Sequence, residues 1–245
     1  MQGKSIISVI TVCYNAEKEL PVTLRSVSEQ DYPYIEYIVV DGDSRDGTME
    51  LLHQHQSNID VLISEKDTGI YDAMNKGIRA ATGDYLCFMN AGDTFHAPDT
   101  LSRVFERVGE RQPDVLYGET VIVDDQRRFV RNRRLRAPQS LTKRSFLSGM
   151  MVCHQSFYAK RSVAPLYDLR YRFSSDYDWC LNILDRTSDT FNTDLILTDY
   201  LSEGATTRHH RASLKERFRI MRKHFGWLPT LWSHLKIAVR LIYLR

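Results

Sequence analysis

The sequence contains few cysteines, and their spacing does not indicate that any two of them form a pair. The 245 residues contain four, Cys13, Cys87, Cys153 and Cys180, with no CxxC pair and no metal-ligand spacing. Neither a disulfide framework nor a zinc module is indicated. Three of the four lie in apolar stretches typical of strands or helices, which predicts buried, reduced thiols and a cytoplasmic protein.

Long apolar runs are also missing. No stretch reaches the ~18 uninterrupted apolar residues that a membrane span requires. The N-terminal sequence MQGKSIISVITVCYN has only a short apolar run, broken by Ser8 and Thr11. It predicts a first strand rather than a signal peptide.

The glycine motifs that bind phosphate are absent as well. Residues 42–48, GDSRDGT, match the start of a phosphate loop, but the lysine before Thr48 is missing, and Asp43 and Asp46 would repel phosphate. No GxGxxG follows the first predicted strand, so a dinucleotide-binding fold is unsupported.

The charge is divided unevenly along the chain. The net charge is +2, and the 42% hydrophobic and 26% charged residues are ordinary for a globular protein. Residues 211–245 contain nine Lys and Arg against one acid, whereas residues 1–210 contain 24 basic and 30 acidic residues, a net of −6. An acidic body and a basic tail predict two parts that meet different partners.

Apolar runs alternate with helix-like stretches in the first half of the chain. The predicted strands are 6–13, 36–40, 61–64 and 85–89, and the predicted helices are 20–30, 48–56, 71–82 and 98–110. Strands that are apolar throughout and separated by helices predict a mostly parallel α/β sheet covered on both faces. Beyond residue 113, two strands around a turn at 124–126, a strand at HQSFYA and a helix at SDYDWCLNILD are predicted.

Polar residues follow each of the first four predicted strands. Tyr14 and Asn15 follow the first, Asp41 the second, Asp67 the third and Asp93 the fourth. Ligands of open parallel sheets bind outside the carboxyl ends of the strands. One such acid could be a helix cap or turn residue, but a set at every strand end predicts a site. Carboxylates suit Mg²⁺ or Mn²⁺, which would let this acidic rim hold a nucleotide diphosphate.

The order of several motifs resembles the family 2 glycosyltransferases, inverting enzymes with the GT-A fold. Over about residues 5–200 the motifs SVITVCYN, IVVDGDSRDGT, DTGIYDAMNKGIRAATGDYLCFMNAGD, HQSFY and SSDYDW follow one another in the family's order. The GIYDAMNKG segment resembles the branch that builds bacterial O-antigens, capsules and exopolysaccharides such as colanic acid. The resemblance implies a Rossmann-like GT-A domain at 1–210, with a nucleotide-sugar half at 1–112 and an acceptor half at 113–210. A basic amphipathic helical tail at 211–245 follows.

The resemblance also implies the residues that bind a UDP-sugar donor. They are Thr11, Tyr14, Asn15, Asp41, Asp67, Asn75 and Lys76. Tyr14 would lie against the uracil ring, with Thr11 and Asn15 in the same pocket, and Asp41 would bind the base or ribose. The other three lie in the segment that closes over the donor.

Asp93 corresponds to the last acid of the family's DxDD-like motif, which is expected to bind Mn²⁺ or Mg²⁺. Asn90 and Gly92 stand where many relatives have acids, so the coordination implied here is thinner. The small residues Ala91 and Gly92 would let the metal and the diphosphate approach the backbone.

Inverting transfer needs a carboxylate that takes the proton of the acceptor hydroxyl. The resemblance matches Asp176 with the acid of the family's ED motif and so makes it the predicted base. Asp178 lies two residues on, on another side of the helix, and is the alternative. By family position His154 and Gln155 lie near the acceptor, although a lone histidine is often structural. The stretch RRFVRNRRLR predicts a solvated basic hairpin.

Apolar residues recur at helical spacing in the tail, namely Leu214, Phe218, Met221, Phe225, Leu231, Leu235, Ala238, Val239 and Ile242, with Trp232 beside them. A basic amphipathic helix with aromatics is typical of a membrane-surface element. That element would suit a polyprenyl-diphosphate-linked acceptor at the inner face of the plasma membrane. The alternative is a pair of helices that pack on the catalytic domain or on a second subunit of a homodimer. No nucleic-acid reader motif is recognisable, so no nucleic-acid partner is expected.

Together these features predict a metal-dependent hexosyltransferase that moves a sugar from a UDP-sugar to a saccharide acceptor during surface polysaccharide biosynthesis. A non-catalytic nucleotide-sugar-binding subunit of a polysaccharide assembly complex is the alternative, and only the thinned metal motif favours it. A nucleotidyltransferase would need a loop rich in Gly and Arg or Lys after the first strand, which TVCYNAEKE does not provide.

Overall fold

A computed structural model describes residues 4–201 and 210–243, with side chains described for 4–201 and 212–236. Its strands are β1 (Ile7–Cys13), β2 (Ile35–Asp41), β3 (Val61–Ser64), β4 (Tyr85–Phe88), β5 (Thr94–Phe95), β6 (Val115–Val123), β7 (Phe129–Asn132), β8 (Phe157–Lys160) and β9 (Thr190–Leu201). Its α-helices are α1 (Leu20–Ser28), α2 (Thr48–Gln54), α3 (Ile70–Ala80), α4 (Thr100–Val108), α5 (Ser175–Leu184), α6 (His210–Phe225) and α7 (Trp227–Tyr243).

The nine strands form one sheet in the order β3-β2-β1-β4-β8-β6-β9-β5, with β7 paired to the distal part of β6. Strands β1 to β4 are parallel, and β8 runs antiparallel to both β4 and β6. From β1 the chain continues to β2 and β3 on one side, and it then returns to β4 on the other side of β1. The strand order therefore reverses between β1 and β4. This is the point at which open α/β sheets bind ligands.

Helices cover both faces of the sheet, which explains why the central strands are apolar throughout. All seven residues of β1 are buried. Ile10 and Val12 pack in one core with α3 and α5, whereas Ile7 and Val9 pack in the other with α1 and α4. The predicted α/β architecture with helices on both faces is confirmed, and each of the first four predicted strands and helices lies within two residues of its predicted start. The sheet is parallel over β1 to β4, as predicted, but mixed as a whole, because β5, β7 and β8 pair antiparallel with their neighbours.

The longest strand, β9, was not predicted. Its central residues include Asn192, Thr193 and Asp194, and Asp194 has a left-handed backbone (φ 52°) where the register with β6 shifts. Polar residues and a break in register interrupt the period-two pattern that identifies a strand. β9 ends at Leu201 beside the carboxyl end of β4, so it completes the edge that carries the site.

Helix α6 packs on the body through contacts that involve both its apolar and its polar residues. Ile220 and Met221 are buried in the core. The Glu216 carboxylate accepts the backbone N–H groups of Arg172 and Phe173 at 2.9 and 2.8 Å, just before α5. The first tail helix therefore packs on the body of the protein. This agrees with the alternative in which the tail helices pack on the domain.

All four cysteines are free, and three of them are buried, as predicted. Within residues 4–201 and 210–243, no helix combines the length and the apolar character needed to cross a bilayer.

Candidate active site

The turn after β4 holds Asp93 in a buried position. Its Oδ2 accepts the Gln155 amide N–H at 2.7 Å, and its Oδ1 accepts the Leu201 backbone N–H at 3.2 Å. The Thr23 hydroxyl donates to the Asp93 carbonyl oxygen and accepts the Gly92 N–H, which fixes the turn to α1. Burial raises the pKa of the Asp93 carboxyl to about 7, although both hydrogen bonds favour its charged form.

Two adjacent residues connect Asp93 with the predicted base. Gln155 donates to Asp93, and the Nδ1 atom of His154 lies 3.7 Å from Asp176 Oδ2. Consecutive Cα atoms are only about 3.8 Å apart. The two acids, one after β4 and the other in the first turn of α5, therefore flank the same short segment before β8.

Asp176 has one oxygen held and one oxygen free. The Tyr71 hydroxyl of α3 donates to Asp176 Oδ1 at 3.1 Å. His154 at 3.7 Å is too far from Oδ2 for a hydrogen bond, and burial lowers the pKa of His154, which favours its neutral form. The Asp176 side chain is 19% exposed, so part of the carboxylate reaches solvent.

Asp178, the alternative base, points away from this site. It is 1% exposed and accepts hydrogen bonds from Lys223 and His224 of α6, both at 2.9 Å, and from Asn182 at 2.8 Å. Burial acts to raise the pKa of Asp178, but the hydrogen bonds from His224 and Lys223 outweigh it and the pKa is lowered. Because its oxygens are enclosed by the tail helix, we assign Asp178 to the attachment of α6.

The carboxyl ends of β1, β2 and β3 bring Tyr14, Gly42 and Asp67 together. Tyr14 is 59% exposed. A Cβ atom at Gly42 would lie 3.3 Å from Tyr14 Cδ2 and would collide with the Asp67 carboxylate. An exposed aromatic ring beside a carboxylate, with no side chain between them, suits the flat face and the N–H edge of a nucleobase.

Asp41 and Asn15 hold the turn that shapes this rim. Asp41 is fully buried, and its oxygens accept hydrogen bonds from the Asp43 and Ser44 backbone N–H groups and from the Ser44 and Ser64 hydroxyls. The Asn15 amide oxygen accepts the Arg45 N–H at 2.8 Å. The resemblance predicts a direct contact between Asp41 and a base or ribose. In this structure the Asp41 oxygens instead accept hydrogen bonds that hold the turn.

Three other predicted site residues have internal partners. Thr11 is fully buried, and its hydroxyl contacts Tyr37 Oη and the Met89 carbonyl. Asn75 is also buried and clasps the backbone N–H and C=O of Tyr167. The Lys76 ammonium lies 2.9 Å from a Glu65 carboxylate oxygen and donates to the Lys66 carbonyl at 2.8 Å, where it anchors the loop before α3.

Gln155 also differs from its predicted role. It is 1% exposed, donates to Asp93, and its Oε1 lies 2.7 Å from Cys153 Sγ. With both ends of its amide engaged, it supports Asp93 rather than presenting a free group to an acceptor. His154 remains the predicted acceptor residue of this pair.

Sequence reasoning missed three residues around the two acids. The hairpin predicted to be solvated turns Arg127 inward, and its guanidinium donates to the Gly92 carbonyl at 2.6 Å. Arg133 of the same hairpin donates to the Met150 and Met151 carbonyls. Tyr200 directly precedes Leu201, whose backbone N–H donates to Asp93, and burial raises the pKa of Tyr200. These residues are identified only by their contacts with residues distant in the sequence.

Several buried polar atoms near the site lack partners. Asn90 Oδ1, Arg127 Nη1 and His154 Nε2 are enclosed but accept or donate no hydrogen bond within the described part of the chain. Buried polar atoms are normally paired, and unpaired ones often mark a site that a ligand completes. All three atoms belong to residues that border Asp93 or Asp176.

The residues of the turn after β4 could hold a divalent cation only together with ligands that the substrate supplies. No group of three or more His, Cys, Asp or Glu residues that could hold a metal occurs among the described residues. Asp93 is the one acid of its turn, and the Asn90 amide oxygen is the second hard donor on it. Mg²⁺ is commonly bound by one or two carboxylates together with substrate phosphates and waters.

Comparison with known sequences finds a matching family model and relatives that match nearly the whole chain. The family model for Glycosyl transferase family 2 matches residues 8–164. The chain is 33% identical to the PGL/p-HBAD biosynthesis glycosyltransferase Rv2957 of Mycobacterium tuberculosis, covering 97% of this chain and 88% of that protein. It is 26% identical to TuaG of Bacillus subtilis, a candidate teichuronic acid biosynthesis glycosyltransferase, covering 96% and 95% of the two chains.

Comparison with solved structures shows the same fold. S. aureus TarS 1–349 in complex with UDP-GlcNAc superposes with a TM-score of 0.70 at 19% identity over 89% of this chain and 64% of that one. The mannosyltransferase PcManGT from Pyrobaculum calidifontis, in complex with GDP-Man and Mn²⁺, gives 0.66 at 18% identity over 99% and 75%.

Proposed function

Because the chain belongs to glycosyl transferase family 2, we propose that it transfers a hexose with inversion from a UDP-sugar to a saccharide acceptor in cell-surface glycan biosynthesis. The observation that carries the proposal is the bridge at His154 and Gln155, which places Asp93 and Asp176 on either side of one short segment. The names of the M. tuberculosis and B. subtilis relatives support a surface glycan, and the TarS complex supports a UDP-sugar.

In the proposed reaction the acceptor hydroxyl oxygen attacks the anomeric carbon as the bond from that carbon to the diphosphate oxygen breaks. Asp176 Oδ2 takes the hydroxyl proton, and UDP leaves with the bonding electron pair. Asp176 lies in the first turn of α5, where the positive end of the helix dipole attracts a carboxylate. Since attack is from the face opposite UDP, an α-linked D-hexose donor gives a β-linked product.

On the donor side, Tyr14 stacks on the uracil ring and Asp67 accepts its N–H, while Asp93 and Asn90 face the diphosphate. A divalent cation held by Asp93, with the diphosphate as its other anchor, would neutralise the charge of the departing group. Gln155 and the Leu201 N–H keep the Asp93 carboxylate oriented. Arg127 adds a fixed positive charge behind the turn.

Thermal unfolding tests the donor site directly. A UDP-sugar is expected to raise the melting temperature of the protein, more strongly with Mn²⁺ present, because it binds only the folded state. The stabilisation is ~2.7 kcal/mol at a hundredfold excess over its Kd. UDP-GlcNAc, UDP-glucose, UDP-galactose and GDP-mannose form the panel, each with and without Mn²⁺.

Tyr14→Ala is expected to remove this ligand shift. Tyr34→Ala is the matched control, since Tyr34 is also exposed but precedes β2 at the opposite edge of the sheet. A shift with GDP-mannose alone would contradict the uracil assignment and leave glycosyl transfer intact. No shift with any donor would contradict the donor site itself.

A lipid-linked acceptor, on polyprenyl diphosphate, would place the reaction at the inner face of the plasma membrane. Helix α7 supplies an unusual surface for such a location. Thr230 and Ser233 face the protein, and the Ser233 hydroxyl donates to the Leu147 carbonyl. The opposite side carries apolar residues that are exposed, namely Leu228 (81%), Leu231 (51%), Trp232 (61%) and Leu235 (54%). A helix of a water-soluble domain normally shows the reverse arrangement.

We call Leu228, Leu231, Trp232 and Leu235 the α7 stripe, and its occupant in this proposal is an anionic bilayer surface. The stripe is bordered by cations: Lys236 lies 5.3 Å from the Trp232 ring, and Arg222 lies 4.8 Å from that of Trp227. The single acid of the tail, Glu216, is occupied by backbone N–H groups. Exposed leucine and tryptophan with lysine and arginine beside them suit the headgroup region. Ala238, Val239 and Ile242 of the predicted face lie outside the residues whose side chains are described.

The full chain is expected to bind vesicles of phosphatidylcholine with about one-third phosphatidylglycerol, and less tightly vesicles of phosphatidylcholine alone. Replacing both Leu231 and Trp232 by serine is expected to abolish cosedimentation. The same change at Phe129 and Val130, which are also exposed, provides the control. If the serine variant binds like the native chain, or if the stripe instead forms a dimer that the variant dissociates, the membrane proposal is contradicted.

A further inference from the structure

The Tyr71 hydroxyl of α3 is the one group that bonds the Asp176 carboxylate within the described residues. This contact joins the GIYDAMNKG motif to the SSDYDW motif, which are about a hundred residues apart in the chain. Tyr71 is 8% exposed, so its hydroxyl is shielded from water. A hydrogen bond to a charged acceptor in such a position is stronger than one at the surface.

The Tyr71 ring is held in a stack of aromatic side chains. It lies 5.4 Å from the Tyr167 ring, at 27° to it, and Tyr167 in turn lies 5.1 Å from the Trp179 ring, at 15°. Asn75, one turn after Tyr71 on α3, fixes the backbone of Tyr167. Trp179 belongs to α5, three residues after Asp176. The stack therefore fixes the distance between the Tyr71 hydroxyl and the first turn of α5.

Tyr71 stays a donor at any working pH. Burial raises the pKa of Tyr71 well above its ordinary value, and the charge of Asp176 adds to the rise. A neutral phenol can donate to the carboxylate but cannot take the acceptor proton.

We propose that Tyr71 is a positioning residue for the transfer reaction: it holds Asp176 Oδ1 so that Oδ2 faces the acceptor hydroxyl. The inference rests on the proposed function, in which Asp176 is the base. Tyr71 itself touches neither the donor nor the acceptor.

Tyr71→Phe tests the proposal, since phenylalanine keeps the ring in the stack and removes only the hydroxyl. The variant is expected to lower kcat by about tenfold and to leave donor stabilisation unchanged. The KM values for donor and acceptor are expected to stay native, because the Tyr71 hydroxyl contacts the Asp176 carboxylate and neither substrate.

Tyr167→Phe is the matched control, because the Tyr167 hydroxyl is buried in the same stack and has no hydrogen-bond partner among the described residues. This control should keep the native kcat. If Tyr71→Phe lowers only the melting temperature, or leaves kcat unmoved, while Asp176→Asn is inactive, the positioning role alone is overturned. If Asp176→Asn retains native turnover, the base assignment fails and the role of Tyr71 fails with it.

Discussion

Replacing Asp176 by asparagine is expected to lower the rate of sugar transfer by at least about a hundredfold while leaving donor binding unchanged. Asparagine is nearly isosteric, and its amide oxygen can still accept the Tyr71 hydroxyl hydrogen bond. It cannot take a proton from the acceptor. The rate is measured as UDP release, and donor binding as the ligand-induced rise in melting temperature.

Asp31→Asn is the control for this substitution. Asp31 is exposed and precedes β2, so it lies at the edge of the sheet opposite to the strand ends that carry the site, about 20 Å away along the strand. It should keep native turnover. An Asp176→Asn variant that transfers sugar at the native rate would contradict the base assignment.

Replacing His224 by alanine is expected to lower the free energy of unfolding by about 3 kcal/mol, because it leaves the buried Asp178 carboxylate with fewer partners. His224 Nε2 lies 2.9 Å from Asp178 Oδ1, and its Nδ1 lies 2.9 Å from Asp185 Oδ2. Its side chain is only 4% exposed. With a carboxylate at each nitrogen, both nitrogens donate when the ring carries its second proton.

This cluster attaches α6 to α5, the helix whose first turn contains Asp176. The Lys223 ammonium bonds both Asp178 oxygens, and Lys143 lies 2.5 Å from Asp185 Oδ1. Removal of the histidine leaves Asp178 enclosed with Lys223 and Asn182 alone. The loss is therefore expected to exceed that of a surface ion pair, which is worth about 1 kcal/mol or less.

Urea unfolding of the full chain measures the effect. His53→Ala, at an exposed position of α2, is the matched control and is expected to change stability by less than about 0.5 kcal/mol. Equal stability of the His224→Ala and His53→Ala variants would show that the tail helix is not held by this cluster.

The sequence predicted the part of the fold that burial dictates. Strands β1 to β4 lie between two layers of helices, so nearly every position in β1 and β4 is apolar and the runs are recognisable. β9 has an exposed, left-handed Asp194 and a shifted register, and its local pattern is not that of a strand. Its place in the sheet depends on pairing with β6, which is a long-range contact.

Part of the candidate site was likewise predictable from the local sequence, and part depends on long-range contacts. Helical geometry alone separates Asp176 from Asp178, because residues two apart point about 200° from each other, and the structure turns the first to Tyr71 and the second to α6. The contacts of Gln155 with Asp93 and of Arg127 with Gly92 join residues 62 and 35 positions apart. No local pattern encodes such pairs, so the sequence identified these side chains as polar but not their partners.

The buried position of Thr11, Asp41 and Asn75 has a related cause. Each lies in a motif that resembles the family's donor site, but a motif contains the residues that shape a site as well as those that touch the ligand. Asp41 shapes the turn beside Tyr14, and Asn75 supports the aromatic stack under Tyr71. Loss of any of the three would therefore disturb the shape of the site.

Catalysis of transfer is distinguished from mere binding of a nucleotide sugar by UDP release. This release is measured from the donor that stabilises the fold, with and without a lipid-linked saccharide acceptor, together with the anomeric configuration of the product. We expect acceptor-dependent release, a product of inverted configuration, and loss of both in Asp176→Asn. A native protein that the donor stabilises but that releases no more UDP than Asp176→Asn with any acceptor would be a non-catalytic nucleotide-sugar-binding subunit.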